Sequence, residues 1–496
     1  MEKARFTLGI AALAMALAGP HPPVHAAAPA STSAQAGAVY YAVLFDGHKL
    51  GYLKTREAVS GATVTSSMFL HMEITRGFLR MVVEQSHQTV ESRSGQPISF
   101  WSEMNASSLR SRVEGVVANG KVHIRTTTAG RVQEKTLDWA RGAVMDEGAA
   151  ILSMRHGLKP GTKYRYREFV PEMAGFMDID VSVGQKKPID LLGRVAPLTE
   201  VTSVSESDGA PSMTEQTYVD DNGRSLKMSM PMLGMELDIV ACDEQFALSP
   251  GDVSDFFRRI AVASPQPLYL AGTSSASYII APVGSHSNPM FLRLGPQKVS
   301  RLSDGRTMIT IDPAAPSGGS FPYTGRDPVL RAALNRAPYL QCDDPAIVSL
   351  TKKTVKGARN AGEAAIRLQK FVRGYIDKKD LSVGYASASE VVRSREGDCT
   401  EHAVLLAAMC RAAGIPARVA FGLAYDPEYL GRKDFFWPHA WVFAYVNKQW
   451  VGLDAALPGG YDAGHIAIAA GNGDSNDFSR ILPTLGFFKI DAVAVR

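Results

Sequence analysis

Turn dipeptides punctuate the first half of this chain: Asp46-Gly47, Ser60-Gly61, Ser94-Gly95, Asn119-Gly120, Ala129-Gly130, Asp208-Gly209 and Asn222-Gly223. Each favours a tight hairpin reversal, and the runs between them are rich in β-branched and aromatic residues. Spacing near ten residues leaves no room for long helices and suits a meandering, curved antiparallel sheet. Residues 38–242 therefore read as a β-rich N-terminal domain. One helical interruption, Glu147 to His156, ends at Gly157 ahead of Pro160-Gly161 and could plug or cover one face of that sheet.

The 496 residues exceed what one hydrophobic core usually serves, so two or three domains are expected. Residues 1–26 read as a secretion signal: Lys3 and Arg5, an apolar run from Phe6 to Ala18, then Val24-His25-Ala26 as a small-residue cleavage site. That run is short of the about 20 residues a spanning helix needs. An exported protein, periplasmic or secreted, starting near Ala27 is the expectation. Lysine and arginine number 53 against 49 acidic residues, with no basic block to suggest nucleic acid. Four cysteines exclude a disulfide scaffold. Cys242 with Cys342 is the one pair considered for a bond, and a pair of unbridged thiols is the plainer reading. Cys410 follows Cys399 at about 16 Å along one helix, too far to bond, and reads as a small core residue.

Met228, Met230 and Met232 fall on one side of a strand. Thioethers can bind copper(I), but such methionines mostly fill a core or line a lipid-sized cavity. Residues 243–342 read as a small β-containing connecting module, with a short helix at Val253 to Ile260. Its strand-like pieces are Ser277 to Ala281, Met290 to Leu294 and Met308 to Ile311, and Asp312 to Pro328 is a loop rich in Pro, Gly and Ser. From Asp343 the pattern turns helical. Pro345 suits a first turn. Ala365, Leu368, Phe371, Val372 and Ile376 recur at helical spacing, and Ser387 with Glu390 forms a capping box for a helix that Gly397 ends.

The residues that carry chemistry lie between Asp398 and Asp454. Asp398 is placed to cap a helix beginning at Cys399, where unpaired backbone N–H groups and the helix dipole favour a thiolate. His439 opens a strand, and Asn447-Lys448 makes a tight turn into Gln449 to Asp454. A two-residue hairpin there pairs Tyr445 with Trp450, Phe443 with Gly452, and Trp441 with Asp454. Asp454 is then the diagonal neighbour of His439, about 7–8 Å between backbones and within side-chain reach. A three-residue loop would turn the carboxylate to the other face. A thiol, an imidazole and a carboxylate are the parts of an acyl-transferring cysteine enzyme.

From about Asp343 onward the chain resembles the transglutaminase-like, papain-fold cysteine enzymes. The resemblance rests on ASEVVRSREGDCTEHAVLLAAMCRAAGIPARVAFGLAY and HAWVFAYVNKQWVGLDAAL. It implies an α+β protein, with a papain-like domain over 343–496 behind the antiparallel β domain. It also implies Cys399 as nucleophile, His439 as general base and acid, and Asp454 as the orienting partner. GHIAIAAG and FFKIDAVAV would be closing strands. Ala455-Ala456 departs from the proline that relatives often carry there. The expected reaction is thiol-dependent acyl transfer on peptide or glutamine carboxamides, as peptidase, deamidase or transglutaminase. A non-catalytic binding or scaffold protein of the same fold is the alternative. Peptides, proteins or cell-wall peptides would be substrates, without cofactor or metal. The β domain could hold a lipid or polysaccharide. The Cys399 N–H would be one oxyanion donor, with Trp437 and Trp441 as candidates for the second. His402 is expected to be structural, Arg418 to pair with an acid, and a zinc set of Cys399, His402, His439 and Asp454 is disfavoured. Asp474 and Asp477 match no calcium loop.

Overall fold

The computed structural model describes residues 37–76, 79–106, 109–128, 131–206, 213–232, 235–251, 260–283, 290–377, 386–429, 431–473 and 484–496. The expected signal segment, the Val253 to Ile260 helix apart from Ile260 itself, and Asp474 and Asp477 lie outside them. Two compact units divide the chain near residue 255.

The N-terminal unit is a single antiparallel sheet of fourteen strands among the described residues, from Val39–Phe45 to Met235–Cys242. The first eight strands follow one another outward from Val39–Phe45. The last six return, so that the final strand pairs with the first, Tyr41 opposite Ala241. The residues after the eighth strand close the curl: Val144 N–H donates to the Arg167 carbonyl at 3.0 Å and its carbonyl accepts from Phe169 N–H at 2.9 Å. Phe100, Val113, Val122 and Ile124 from one end of the sheet consequently pack with Phe169 and Phe176 from the other. Asn119 and Gly120 both take positive φ, 53° and 70°, the backbone a two-residue hairpin needs. Met228, Met230 and Met232 are all buried in this unit.

The interrupting helix, Asp146–His156, lies with its start against the Leu79–Ser92 strand. Glu91 accepts the Glu147 and Gly148 N–H groups at 2.7 and 3.1 Å, two donors a helix start leaves without intrahelical partners. The close approach there explains a glycine. A Cβ on Gly95 would sit 2.6 Å from the Gly148 Cα.

Besides the short Pro328–Ala332 helix, the described residues of the C-terminal unit gather four helices, Pro345–Val355, Ala361–Tyr375, Ala388–Ser394 and Cys399–Ala412. The last is buried from Cys399 to Arg411, apolar nearly all round, and packs on the other three and on two strands. Those strands, Ala417–Tyr429 and Arg432–Val446, are the centre of a five-stranded sheet. Val262–Ala263, Gln449–Leu453 and His465–Gly471 complete it.

The stretch expected to be a separate connecting module does not stand alone. Val262 pairs with Phe436, and Ala276–Pro282 pairs with Phe488–Val495 at the far end of the chain. Gln297–Arg301 and Thr307–Ile311 complete that four-stranded sheet. The strands of 262–311 are short and amphipathic, so they find edges on the C-terminal unit rather than a core of their own. Met290 to Leu294 forms no strand; Leu294 alone bridges to Gln297.

Candidate active site

Three local devices set the start of the Cys399–Ala412 helix. The Asp398 carboxylate accepts the Thr400 N–H at 2.8 Å, and Glu401 reaches back to accept the Asp398 N–H at 2.9 Å. With the Asp398 side chain also accepting the Glu401 N–H, Asp398 and Glu401 form a reciprocal capping box. Glu401 also accepts the Ala386 N–H at 2.9 Å, which ties the preceding loop to the helix. Burial, the Asp398 charge and the Asp398 hydrogen bond push the Glu401 carboxyl well above its ordinary range. Gly397 sits at φ +148°, and a Cβ there would lie 2.2 Å from Glu401 Cβ, so only glycine lets the cap close. The His402 ring turns back to the Asp398 carbonyl oxygen, 2.5 Å from Nδ1, which fits a structural role. Cys399 itself is fully buried.

The helix packs on the Arg432–Val446 strand, which carries His439. One edge of this strand pairs along its length with Ala417–Tyr429. Among the described residues, the other edge pairs at Phe435 and Phe436 and again from Val442 to Val446. Pro438, with no N–H to give, falls in the gap between. Opposite His439 stands Gly422, where a Cβ would meet the Ile466 carbonyl oxygen at 2.0 Å.

The hairpin takes the two-residue form expected. Asn447 and Lys448 have φ of 49° and 65°, and Tyr445 pairs with Trp450 and Phe443 with Gly452. The register carries Asp454 to His439: His439 Nε2 lies 2.9 Å from Asp454 Oδ2. Asp454 Oδ1 accepts N–H groups of Ala456 and Leu457 at 2.6 and 3.1 Å. Ala456 thus supplies an N–H that a proline could not. The Arg373 guanidinium donates to the carbonyls of Asp454, Ala455, Leu457 and Pro458, holding the turn from outside.

A residue that sequence reading passed over completes the cluster. His465, the first residue of its strand, places Nε2 3.1 Å from the same Asp454 Oδ2. Its Nδ1 lies 2.9 Å from Asp462 Oδ1. Burial alone would lower the His465 pKa, but hydrogen bonds and charge from Asp454 and Asp462 outweigh it and push it up to about 9. Burial would likewise raise the Asp454 carboxyl, yet the two imidazoles hold it well below its ordinary range. The spacing Asp462-x-x-His465 was the available signal, but nothing in it points to Asp454.

His439, Asp454 and His465 are of metal-ligating types, with donor atoms within 4.8 Å of one another. Both imidazoles already spend Nε2 on one carboxylate oxygen, so the arrangement reads as a hydrogen-bonded array. The zinc set weighed from sequence does not form: the group brought together includes neither Cys399 nor His402. Arg418, expected to pair with an acid, lies over the Trp450 ring at 5.5 Å. The indole nitrogens of Trp437 and Trp441 are buried without an acceptor among the described residues. All four cysteines are unbridged, Cys242 and Cys342 included.

Residues 348–455 match the profile of the Transglutaminase-like superfamily. No curated protein sequence matches the chain. Among solved structures, a protein from Cytophaga hutchinsonii provisionally assigned as a cysteine protease is 20% identical, covering 45% of this chain and 85% of its own, at TM-score 0.29. A β-barrel-like protein of a domain of unknown function from Brucella abortus is 17% identical over 42% of this chain and 95% of its own, at TM-score 0.34. The periplasmic domain of TgpA from Pseudomonas aeruginosa, solved with ethylmercury, is 16% identical over 39% and 82%, at TM-score 0.25.

Proposed function

Residues 348–455 belong to the transglutaminase-like superfamily, and on that premise we propose that the chain is a thiol-dependent acyl-transfer enzyme of the exported compartment, with Cys399 as nucleophile. The Cys399 thiolate attacks a peptide or glutamine carboxamide carbonyl. The C–N bond then breaks as His439 gives its proton to the departing amine, leaving a thioester on Cys399. Water entering next makes the enzyme a peptidase or deamidase, and a lysine amine makes it a transglutaminase. Asp454 fixes the His439 tautomer and stabilises its charged form. With Nε2–H engaged by Asp454, Nδ1 is the nitrogen that exchanges the proton. The Cys399 N–H and an indole N–H of Trp437 or Trp441 are candidate donors to the oxyanion.

The observation that carries this reading is the 2.9 Å contact between His439 and Asp454, delivered by the hairpin register. One observation favours a second reading, a binding or scaffold protein of the same fold: Cys399 and His439 are both 0% exposed. Incubation of the wild type and Cys399→Ala with a glutamine peptide, with and without a primary amine, decides between them. Ammonia release, peptide cleavage or amine incorporation that depends on Cys399 supports the enzyme and names its reaction. No product, together with slow and pH-independent alkylation of Cys399, supports the scaffold.

A further inference from the structure

Asp454 serves two histidines. Oδ2 receives Nε2 of both His439 and His465, at 2.9 and 3.1 Å, while Oδ1 is filled by two backbone N–H groups. The other nitrogen of His465 faces a second acid, with Nδ1 2.9 Å from Asp462 Oδ1 and 3.2 Å from the Asp462 carbonyl oxygen. The Asp462 N–H also approaches Nδ1, at 3.3 Å the longest of the three contacts. A neutral imidazole would turn a lone pair toward one of these acceptors. Only the imidazolium donates to both. His465 is 1% exposed, so bulk water cannot stand in for either partner.

We propose that His465 is a positioning residue of the candidate active site: a permanent imidazolium, clamped between Asp454 and Asp462, that orients the shared carboxylate and restrains the proton affinity of His439. This rests on the catalytic reading of Cys399 and His439. The ring centroids of the two histidines are 5.6 Å apart, so the positive charge of His465 opposes charging of His439. A carboxylate bound to His439 alone would favour its charged form more strongly. Sharing that carboxylate leaves His439 oriented yet still able to give its proton up.

The groups around the pair agree with this assignment. The Tyr461 ring lies 4.8 Å from the His465 ring, and its hydroxyl is kept neutral by burial and by the charge of Asp462. Trp441 meets His465 edge-on at 5.2 Å and contributes no charge. The Tyr278 hydroxyl donates to the Ala463 carbonyl. Arg373 spends its guanidinium on four backbone carbonyls around Asp454, so a second cation supports the turn without touching the carboxylate.

The test is the pH dependence of Cys399 alkylation by iodoacetamide in wild type, His439→Ala and His465→Gln, the last keeping a neutral donor in place of the cation. Loss of that cation should move the limb governed by His439 about one unit to higher pH, with less than a tenfold loss of plateau rate. A His439-dependent limb left in place by His465→Gln overturns the proposal alone. A wild-type limb unchanged by His439→Ala overturns the catalytic reading and this proposal with it. Nitrogen-15 spectra of histidine-labelled wild-type protein decide independently of how the variant folds. Two protonated nitrogens on His465 at pH 7.5 support the proposal, and a neutral ring at that pH overturns it.

Discussion

Each unit of this protein buries one histidine between two carboxylates. In the N-terminal unit, His87 Nδ1 lies 2.7 Å from Glu172 and Nε2 3.0 Å from Asp146. In the C-terminal unit, His465 lies between Asp462 and Asp454 at 2.9 and 3.1 Å. The local motif is the same, but the surroundings differ. Asp146 also accepts the Thr89 hydroxyl and opens a helix, whose next two N–H groups are held by Glu91. Asp454 instead shares an oxygen with a second imidazole, next to a strand that packs on the helix begun by a cysteine. A buried ion triad is therefore no mark of chemistry by itself. What its acids do next separates a latch from the proposed catalytic site.

The largest expected effect tests that separation directly. On the proposed function, His439→Ala should cut Cys399-dependent turnover per folded molecule by about 10⁴-fold or more, as loss of a triad member does elsewhere. His87→Gln should lower stability and leave that turnover intact. Breaking a buried pair leaves Glu172 and Asp146 facing each other and costs about 3–5 kcal/mol. Faster amide exchange in the Leu79–Ser92 strand with turnover per folded molecule unchanged is the expected result. Loss of turnover in a folded His87→Gln protein would erase the distinction between the two triads.

A smaller effect sharpens the comparison through pH. Burial, then the Asp146 charge, push the Glu91 carboxyl up to about 8 in spite of its two N–H bonds. A carboxyl raised on folding favours the folded state only while protonated. Its penalty therefore grows from its ordinary value near 4.5 until pH 8 and is constant beyond. Glu91→Gln, which keeps one acceptor oxygen and cannot ionise, should consequently flatten the fall in melting temperature of the N-terminal unit between pH 4.5 and pH 8. His87 is also raised, by Glu172 and Asp146 against the opposing effect of burial, so its contribution is present below about pH 6.5 and lost as pH climbs through the higher folded value. Both groups predict a latch that weakens toward alkaline pH, measured by thermal melts across the range.

How much of this was legible in advance depended on sequence distance. The Asp398 cap, the Cys399 helix, the Asn447-Lys448 turn and the placing of Asp454 beside His439 are all local. Each comes from residues within about fifteen positions of one another, where turn type sets register. His465 lies only eleven residues beyond Asp454, yet it was missed. Its strand pairs with Ala417–Tyr429, with two strands between it and Gln449–Leu453, and no turn chemistry reports that order. The pairing of Ala276–Pro282 with Phe488–Val495 spans more than two hundred residues, which is why 243–342 looked like a separate module. The His87 latch was hidden for a similar reason: Glu172 and Asp146 reach it only because the sheet curls.

The smallest prediction compares one hairpin from each unit. Asn119-Gly120 and Asn447-Lys448 take nearly the same backbone, φ of 53° and 70° against 49° and 65°. Glycine reaches the second of these positions at no steric cost, whereas lysine pays for its Cβ. Lys448→Gly should therefore stabilise the C-terminal unit by about 0.5–1 kcal/mol, and Gly120→Lys should cost the N-terminal unit a similar amount. The two turns differ in what depends on them. Gly120 leads into a strand of the large sheet, while Lys448 sets the register that brings Asp454 to His439. A Lys448→Gly protein that melts higher, with the His439-governed limb of Cys399 alkylation unmoved, would mean the turn defines the site by register alone. A limb that moves would mean the Lys448 side chain also acts on His439, and the hairpin would then contribute charge as well as geometry.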